Sequence, residues 1–256
     1  MSIDDILDDG MKAQEQGDIK TALRCYQQAL DLEKNAEIWC LLADAQIENG
    51  SLAKAHKSLA AGLTLEPDNI DLLFSLADLY LEEANSKKAL ETYQKIIDVD
   101  PGDADAWVSL AIAQVNEGDL TAAEKSCRHA LDIDPQSPFA HNALGDILLA
   151  QDKSGEAKEC FLKAIECDPE DPQPLLSLGD LYYDSGDLEK AEELCRKSLE
   201  IDAGLVLGYL TLGYICLDQD RTEEALDCFQ QFLRLEKSAA AKHIRDEVSA
   251  VIDGLK

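Results

Sequence analysis

Proline, glycine and basic residues are all scarce in this chain of 256 residues. Seven Pro and 14 Gly are too few for an all-β fold, whose many turns would need more of both. Lys and Arg total 23 against 52 Asp and Glu, so the formal net charge is −29. Because such a chain repels phosphate backbones and anionic lipid, we expect neither nucleic acid nor a membrane surface as its partner. Long-range electrostatics instead favour basic proteins.

Long apolar runs and paired cysteines are missing as well. No window approaches the roughly 20 apolar residues of a membrane-spanning helix, and the acidic start MSIDDILDDGMKAQ is not a signal peptide. None of the eight Cys lies in a C-x-x-C pair, which favours small core hydrophobes in a reducing compartment over a disulfide framework. The sequence therefore predicts a cytoplasmic protein.

What the chain has in abundance is a 34-residue repeat. Three columns keep this interval: Ala55, Ala89, Ala123, Ala157, Ala191 and Ala225; Ala43, Ala77, Ala111, Gly145, Gly179 and Gly213; and Pro67, Pro101, Pro135 and Pro169. They define seven repeats, with the first residue of each taken as position 1: 3–35, 36–69, 70–103, 104–137, 138–171, 172–205 and 206–239.

Within each repeat, apolar residues recur at spacings of three and four, the pattern of an amphipathic helix. A turn near position 15 and a break near the proline column divide the repeat into two helices, A and B. Small residues at positions 8 and 20 let the two helices approach closely. One hairpin cannot bury its apolar face alone, so we expect neighbouring hairpins to stack. Residues 240–255 carry an apolar stripe that fits a capping helix or, alternatively, a dimerisation helix.

These columns resemble the tetratricopeptide repeat (TPR) family over residues 3–239. The matching residues include Trp39, Leu42, Ala43, Gly50, Ala55 and Pro67, then Trp107, Leu110, Ala111, Gly118, Ala123 and Pro135, and later Leu144, Gly145, Ala157, Phe161, Ala164 and Pro169. The resemblance implies an all-α, right-handed superhelical solenoid of seven helix-turn-helix repeats plus a C-terminal capping helix, with 1–256 as a single domain. Ala203 and Lys237 depart from the family's proline column.

No catalytic constellation is evident in the sequence. It lacks G-x-S-x-G, H-E-x-x-H and a phosphate-binding glycine loop, and its four His are scattered, three in different repeats and His243 in the C-terminal segment. The cysteine spacing supplies no zinc ligand set, and no calcium-binding loop appears. We therefore expect a protein that is not an enzyme and that uses no cofactor or metal.

Charge is sorted between the two helices of each repeat. Positions 1–15 of the seven repeats hold 20 acids and a single base, Lys12. In the TPR family helix A lines the concave groove, so the resemblance implies a groove that is acidic and apolar. The groove residues that it implies are Asp44, Asp78, Asp146 and Asp180 at position 9, together with Phe74, Leu81, Asn142, Leu149, Tyr183 and Tyr214.

This composition favours one kind of partner and disfavours two others. Chaperone-binding TPR domains grip an acidic tail with Lys, Arg and Asn of helix A, which this groove lacks, and Asn142 alone is not a ladder for an extended backbone. We therefore expect a monomeric or weakly dimeric scaffold that binds a basic, apolar segment of another protein or peptide. Three alternatives remain open: the acids only solubilise the surface, the chain self-assembles through its ends or its last helix, or it is an accessory or regulatory subunit of an enzyme or secretion complex.

Overall fold

The computed structural model describes residues 2–238 and 240–255. The last residue of the predicted seventh repeat, 239, and the two ends of the predicted domain, 1 and 256, lie outside the described residues. Every regular element of the described part is a helix. The helices are α1 (Ile3–Glu15), α2 (Ile19–Leu32), α3 (Ala36–Glu48), α4 (Leu52–Leu65), α5 (Ile70–Glu82), α6 (Ser86–Val99), α7 (Ala104–Asn116), α8 (Leu120–Ile133), α9 (Pro138–Ala150), α10 (Ser154–Cys167), α11 (Pro172–Asp184), α12 (Leu188–Ile201), α13 (Val206–Asp218), α14 (Thr222–Leu235) and α15 (Lys242–Leu255).

Odd-numbered helices from α1 to α13 are the predicted A helices, and even-numbered helices are the B helices. Every A helix begins at position 1 of its repeat, and every B helix begins at position 17 and ends at position 30. Each A helix packs against the B helix that follows it. The predicted hairpins are thus confirmed, repeat by repeat.

The chain divides into two compact units. The first, Met1–Ile133, contains α1–α8, and the second, Asp134–Lys256, contains α9–α15. Within each unit the B helix of one hairpin packs against the A helix of the next, as α2 does on α3 and α10 does on α11. The expectation of one continuous domain over 1–256 stays a prediction.

The turn between helices A and B has one backbone conformation throughout. Position 15 has positive φ in every repeat: it is Gly17, Gly50, Gly118 and Gly186 in four of them and Ala84, Asp152 and Asp220 in the other three. Glycine adopts this left-handed conformation at little steric cost, whereas Ala and Asp are strained in it. The turn that the sequence predicts near position 15 is therefore confirmed, and its positive φ explains why glycine occupies it in four repeats.

The close approach predicted at position 8 is also confirmed. A Cβ added to Gly145 would lie 2.4 Å from the Phe161 ring, and one added to Gly213 would lie 2.5 Å from the Phe229 ring. Both phenylalanines stand at position 24 of helix B and are fully buried. A small residue on helix A therefore makes room for the aromatic ring that fills the core of the hairpin.

Helix α15 covers the end of the second unit. Val248 and Ile252 are buried in the same apolar cluster as Phe229 and Phe232 of α14, and Val251 packs against its edge. Four cysteines, Cys25, Cys127, Cys195 and Cys216, are buried, as expected for small core hydrophobes. Cys167, at the last position of α10, departs from that expectation because it is exposed.

Candidate protein-binding surface on the A helices

Positions 5, 9 and 12 of the A helices form the surface on which every predicted groove residue lies, and we call this surface the A face. Three of its four predicted aspartates are paired with a hydroxyl 31 residues further along the chain, and for Asp180 the pairing is a hydrogen bond in the geometry of the structure. Asp44 pairs in this way with Ser75, Asp146 with Ser177, and Asp180 with Thr211, whose Oγ1 lies 2.8 Å from Asp180 Oδ1.

These pairs lie between consecutive A helices within a unit. They link α3 to α5 in the first unit, and α9 to α11 and α11 to α13 in the second. The three carboxylates are therefore structural ties between neighbouring repeats as well as surface groups.

Asp78 is the exception among the four aspartates. It accepts a hydrogen bond from the phenol of Tyr93 on α6, within its own hairpin, and like Asp146 it is exposed. Burial and the neighbouring Asp78 carboxylate together raise the pKa of Tyr93 above its usual value. The fourth aspartate thus fastens helix A to helix B of one repeat.

Burial makes the three tied carboxylates weaker acids in this fold. It raises the pKa of Asp146 to about 6, and the hydrogen bond from Ser177 opposes that rise. Burial likewise raises the pKa of Asp180 against the opposing hydrogen bond from Thr211. For Asp44 the cause is again burial, to which the nearby Glu48 and Asp78 add in the same direction.

The predicted apolar and aromatic residues of the A face are half-buried. In the first unit these are Phe74 and Leu81, and Phe74 meets the Tyr93 ring edge-on at 6.2 Å. In the second unit Leu149, Tyr183 and Tyr214 are similarly placed. Each therefore keeps part of its side chain available to a partner.

Two tyrosines of the second unit are oriented by their neighbours. The phenol of Tyr183 donates a 2.9 Å hydrogen bond to Asp218 on the next A helix, and the Tyr214 ring packs edge-on against Phe229 at 5.1 Å. Burial, reinforced by Asp218, raises the pKa of Tyr183 to about 12. These rings are held in place before any partner arrives.

Asn142 has an unusual environment for a polar residue. The residue is half-buried, yet its Oδ1 is fully enclosed, and within the described part of the chain nothing donates a hydrogen bond to it. Buried polar atoms are rarely left unpaired, because losing water without a replacement costs roughly 1–3 kcal/mol.

In the first unit the A face contains a cleft of about 590 Å³ between α3 and α5. Its lining includes the carboxylates of Glu37, Asp44, Glu66 and Asp71, with the thiol of Cys40 among them. Burial raises the pKa of Cys40 to about 11, and Asp44 and Asp71 add to that rise. The thiol therefore stays protonated and forms part of the wall.

The hydroxyl partners of the aspartates are the residues that our sequence reasoning missed. The signal was nevertheless present: Ser75, Ser109, Ser177 and Thr211 each follow a position-9 aspartate by 31 residues. Where position 9 is Ile112 instead, the residue 31 places later is Ala143. An acidic residue at position 9 is thus accompanied by a hydroxyl at position 6 of the next repeat.

Two other kinds of feature are missing from the part of the chain that the structure describes. Within residues 2–238 and 240–255, no three His, Cys, Asp or Glu side chains are grouped so that they could hold a metal ion. Across the same residues, none of the helices combines the length and apolarity needed to cross a bilayer.

Solved structures with the same fold span nearly the whole chain. A tetratricopeptide repeat protein from Parabacteroides merdae is 20% identical, with a TM-score of 0.76 and 98% of both chains covered. Pseudomonas aeruginosa PilF is 19% identical, with a TM-score of 0.67, and 84% of this chain covers 97% of that one. Yeast Tom70 is 16% identical, with a TM-score of 0.76, and 92% of this chain covers 50% of that one.

Sequence comparison identifies the family. No curated protein matches this chain. A family model described as the C-terminal domain of cilia and flagella-associated protein 70, which is itself a TPR domain, matches residues 37–248. Taken with the hairpins, the position-15 turns and the structural relatives, this match shows that the chain belongs to the tetratricopeptide repeat family.

Proposed function

We propose that this protein is a non-catalytic scaffold that binds a basic, apolar segment of another protein through its A face. The TPR fold generally serves protein–protein interaction, which supports a protein partner. The basic and apolar character of that partner is inferred from the residues of this chain.

The observation that carries the proposal is the near absence of bases from the A helices. Among α1, α3, α5, α7, α9, α11 and α13, the only Lys or Arg is Lys12 on α1. The bases of the chain lie elsewhere, mostly on the B helices, where Arg128, Lys190 and Arg196 form ion pairs. The A helices themselves offer no base beyond Lys12 to compensate the acids of the A face.

A cationic partner would supply the charge that the tied aspartates lack. Asp44 and Asp180 are half-buried and Asp146 is exposed, and the hydroxyl paired with each is neutral. An Arg or Lys brought close to such a carboxylate forms a charge-assisted hydrogen bond, which is stronger than one between neutral groups. Phe74, Leu81, Tyr183 and Tyr214 would contribute the apolar contact on which affinity mostly depends.

The test is capture of partners with three versions of the full chain as bait. The first is wild type, and the second carries Asp44→Asn, Asp78→Asn, Asp146→Asn and Asp180→Asn. Asparagine keeps an oxygen that accepts the Ser, Thr and Tyr hydrogen bonds, so this variant should remain folded. The third is a matched control with the same charge change on exposed acids of B helices: Glu91→Gln, Asp132→Asn, Glu159→Gln and Glu193→Gln.

A partner that is retained by wild type and the control but lost with the A-face variant, and that weakens with salt, supports the proposal. Retention by all three baits would mean that binding uses another surface. A partner that is itself acidic, or is a second copy of this chain, would also contradict the proposal and would favour an accessory or self-assembling role.

A further inference from the structure

Helix α4 differs in charge from the other helices of the described chain. It contains no Asp or Glu, whereas each of the others has at least one. Its bases are Lys54 and Lys57, with His56 between them. At the same two repeat positions, the B helix α10 of the second unit has Glu156 and Glu159 instead. A chain whose net charge is −29 therefore contains one helix that is positive.

The outer side of α4 carries mostly small side chains. Four exposed residues are spaced by four, three and four positions and therefore share one side of the helix: Ala53, Lys57, Ala60 and Thr64. The Thr64 hydroxyl donates a 2.7 Å hydrogen bond to the Ala60 carbonyl, which satisfies its donor within the helix. Near the end of this line, Leu65 is 50% exposed. Because small side chains let two packed helices approach closely, a second helix can lie directly on this side.

The two lysines of α4 are available to a partner, whereas the histidine is not. Lys54 and Lys57 are exposed, and within the described residues neither ammonium group forms an ion pair or a hydrogen bond. His56 is half-buried: its Nε2 lies 2.9 Å from Glu83, and its ring lies 5.3 Å from the Tyr80 ring. His56 therefore takes part in packing between the second and third hairpins, and the lysines alone provide accessible positive charge.

We propose that this side of α4 binds an acidic amphipathic helix of another protein. We call it the α4 surface, and its members are Ala53, Lys54, Lys57, Ala60, Thr64 and Leu65. Carboxylates of the partner helix pair with the two lysines, and its apolar side chains lie over Ala60 and against Leu65. This inference goes beyond the proposed function, because it concerns a B helix and a partner of the opposite charge, and neither proposal depends on the other.

A short acidic helix suits the α4 surface better than a nucleic acid or an anionic membrane does. The net charge of −29 repels extended polyanions, whose charge density is high along their whole length. A helix can instead present two carboxylates at a spacing of three or four residues and carry apolar side chains beside them. The surface is about 18 Å long from residue 53 to residue 65, which matches about three turns of a partner helix.

The probe for this inference is a designed amphipathic peptide, acetyl-ELAEALEELAEALEE-amide, titrated into the full chain. Its leucines recur at spacings of four and three, so they form one apolar side flanked by glutamates. The matched neutral peptide has glutamine in place of every glutamate. Affinity is measured by fluorescence anisotropy, and the site is located by NMR through the backbone amides of the ¹⁵N-labelled protein.

We expect the acidic peptide to shift the amides of α4 and to bind about fivefold more tightly than the neutral peptide, which is what two exposed ion pairs supply. This preference should shrink as salt is raised. The amides of α10, which has acids at the two lysine positions, should not shift.

Two variants separate the contributions of charge and shape. Lys54→Gln combined with Lys57→Gln should abolish the preference for the acidic peptide. Ala60→Gln should weaken both peptides by a few-fold, because a longer side chain holds the partner helix away from α4. All three substituted residues are exposed, so the variants should remain folded. The matched control, Lys125→Gln with Lys197→Gln, removes the same charge from exposed positions of α8 and α12 and should change nothing.

An unchanged preference in the Lys54→Gln, Lys57→Gln variant overturns the inference, as does the absence of shifts in α4 with millimolar peptide. Tighter binding of a short DNA duplex or of phosphatidylserine vesicles through the same lysines would mean that the partner class is wrong. A wild-type mass that rises with concentration in light scattering, and no longer rises in the lysine variant, would mean that the acidic helix belongs to a second copy of the chain. The A-face variant should bind the acidic peptide as wild type does, and a loss there would place the peptide on the A helices and overturn the assignment to α4.

Discussion

Thr211 Oγ1 on α13 donates a hydrogen bond of 2.8 Å to Asp180 Oδ1 on α11. The two residues are 31 positions apart, and the bond ties the sixth hairpin to the seventh through their A helices. It is one instance of a bond that recurs along the chain. A partner that binds the A face, as we propose, would meet a carboxylate that already takes part in the packing of the repeats.

Removing the hydroxyl tests how much this tie contributes. Thr211→Val keeps the branched shape and deletes the donor, so it should destabilise the second unit by about 1–2 kcal/mol. It should also raise the pKa of Asp180 further, because the bond from Thr211 opposes the effect of burial. Urea unfolding and an NMR titration of the Asp180 carboxyl measure the two effects.

The matched control for that experiment is Thr64→Val. Thr64 is exposed on α4, and its hydroxyl donates only to the Ala60 carbonyl of its own helix. This change should alter stability by less than about 0.5 kcal/mol. Equal effects of the two substitutions would mean that the inter-repeat bond adds nothing.

Asp146 makes the stability of the second unit depend on pH in an unusual direction. Its pKa in the fold is about 6, above the ordinary 3.8, so the native state binds the proton more tightly than the unfolded state does. Between about pH 6 and 4, the contribution of this group to the free energy of unfolding therefore increases as pH falls. Above pH 6 the carboxyl is charged in the native state, and its destabilising effect is complete.

Asp146→Asn should remove that contribution. At pH 7.5 the variant should be more stable than wild type by on the order of 1 kcal/mol, a figure discounted for the solvent that still reaches the residue. The difference should vanish as pH is lowered to about 4, where both forms are neutral. A stability difference that is constant between pH 4 and 7.5 would contradict this account.

Features that depend on contacts within one hairpin could be predicted from the sequence, whereas contacts between repeats could not. The hairpins follow from local rules: a helical period, a left-handed turn at position 15 and a small residue at position 8. The pairing of Asp146 with Ser177 could not be predicted in this way, because it requires knowing which position of one A helix faces which position of the next. The 31-residue spacing between aspartate and hydroxyl is present in the sequence, but its meaning can be recognised only once the packing of the helices is known.

Exposure along the A face was equally hard to predict. Met11 and Val108 both occupy predicted A-face positions, yet Met11 is 40% exposed and Val108 is fully buried. The difference depends on the side chains of neighbouring helices, which repeat position alone does not specify. Repeat position therefore predicts which residues belong to the A face, while neighbouring side chains decide which of them are exposed.

Substitution by alanine should have opposite effects on stability at Gly145, which lies against a buried ring, and at Gly155, which does not. A Cβ at Gly145 would lie 2.4 Å from the buried Phe161 ring, so Gly145→Ala should destabilise the protein by about 1–3 kcal/mol. Gly155 on α10 has nothing within 4 Å of that position, so Gly155→Ala should stabilise it by up to about 1 kcal/mol. Thermal unfolding compares the two variants, and adding Phe161→Leu should partly rescue the first.

Strain in the third hairpin offers a stabilising substitution. Ala84 has φ of 55°, in the region that costs a residue with a Cβ about 1–2 kcal/mol. Ala84→Gly should therefore stabilise the first unit by about 0.5–1 kcal/mol, after the extra entropy of glycine in the unfolded chain is subtracted. The reverse change at an equivalent turn, Gly118→Ala, should destabilise the same unit, and a gain from both would rule out strain as the cause.

The last helix can be tested as a cap by substituting two residues one turn apart. Val248 is fully buried against the end of the second unit, whereas Ile244, on the same helix, is 36% exposed. Val248→Ala should cost about 1–2 kcal/mol of stability, because it removes buried methyl groups and leaves a cavity. Ile244→Glu should leave both stability and molecular mass unchanged if α15 only covers its own hairpin. Light scattering at several concentrations measures the molecular mass. If the mass of the wild type rises with concentration and that rise is lost in the Ile244→Glu variant, then the exposed side of α15 joins two copies of the chain.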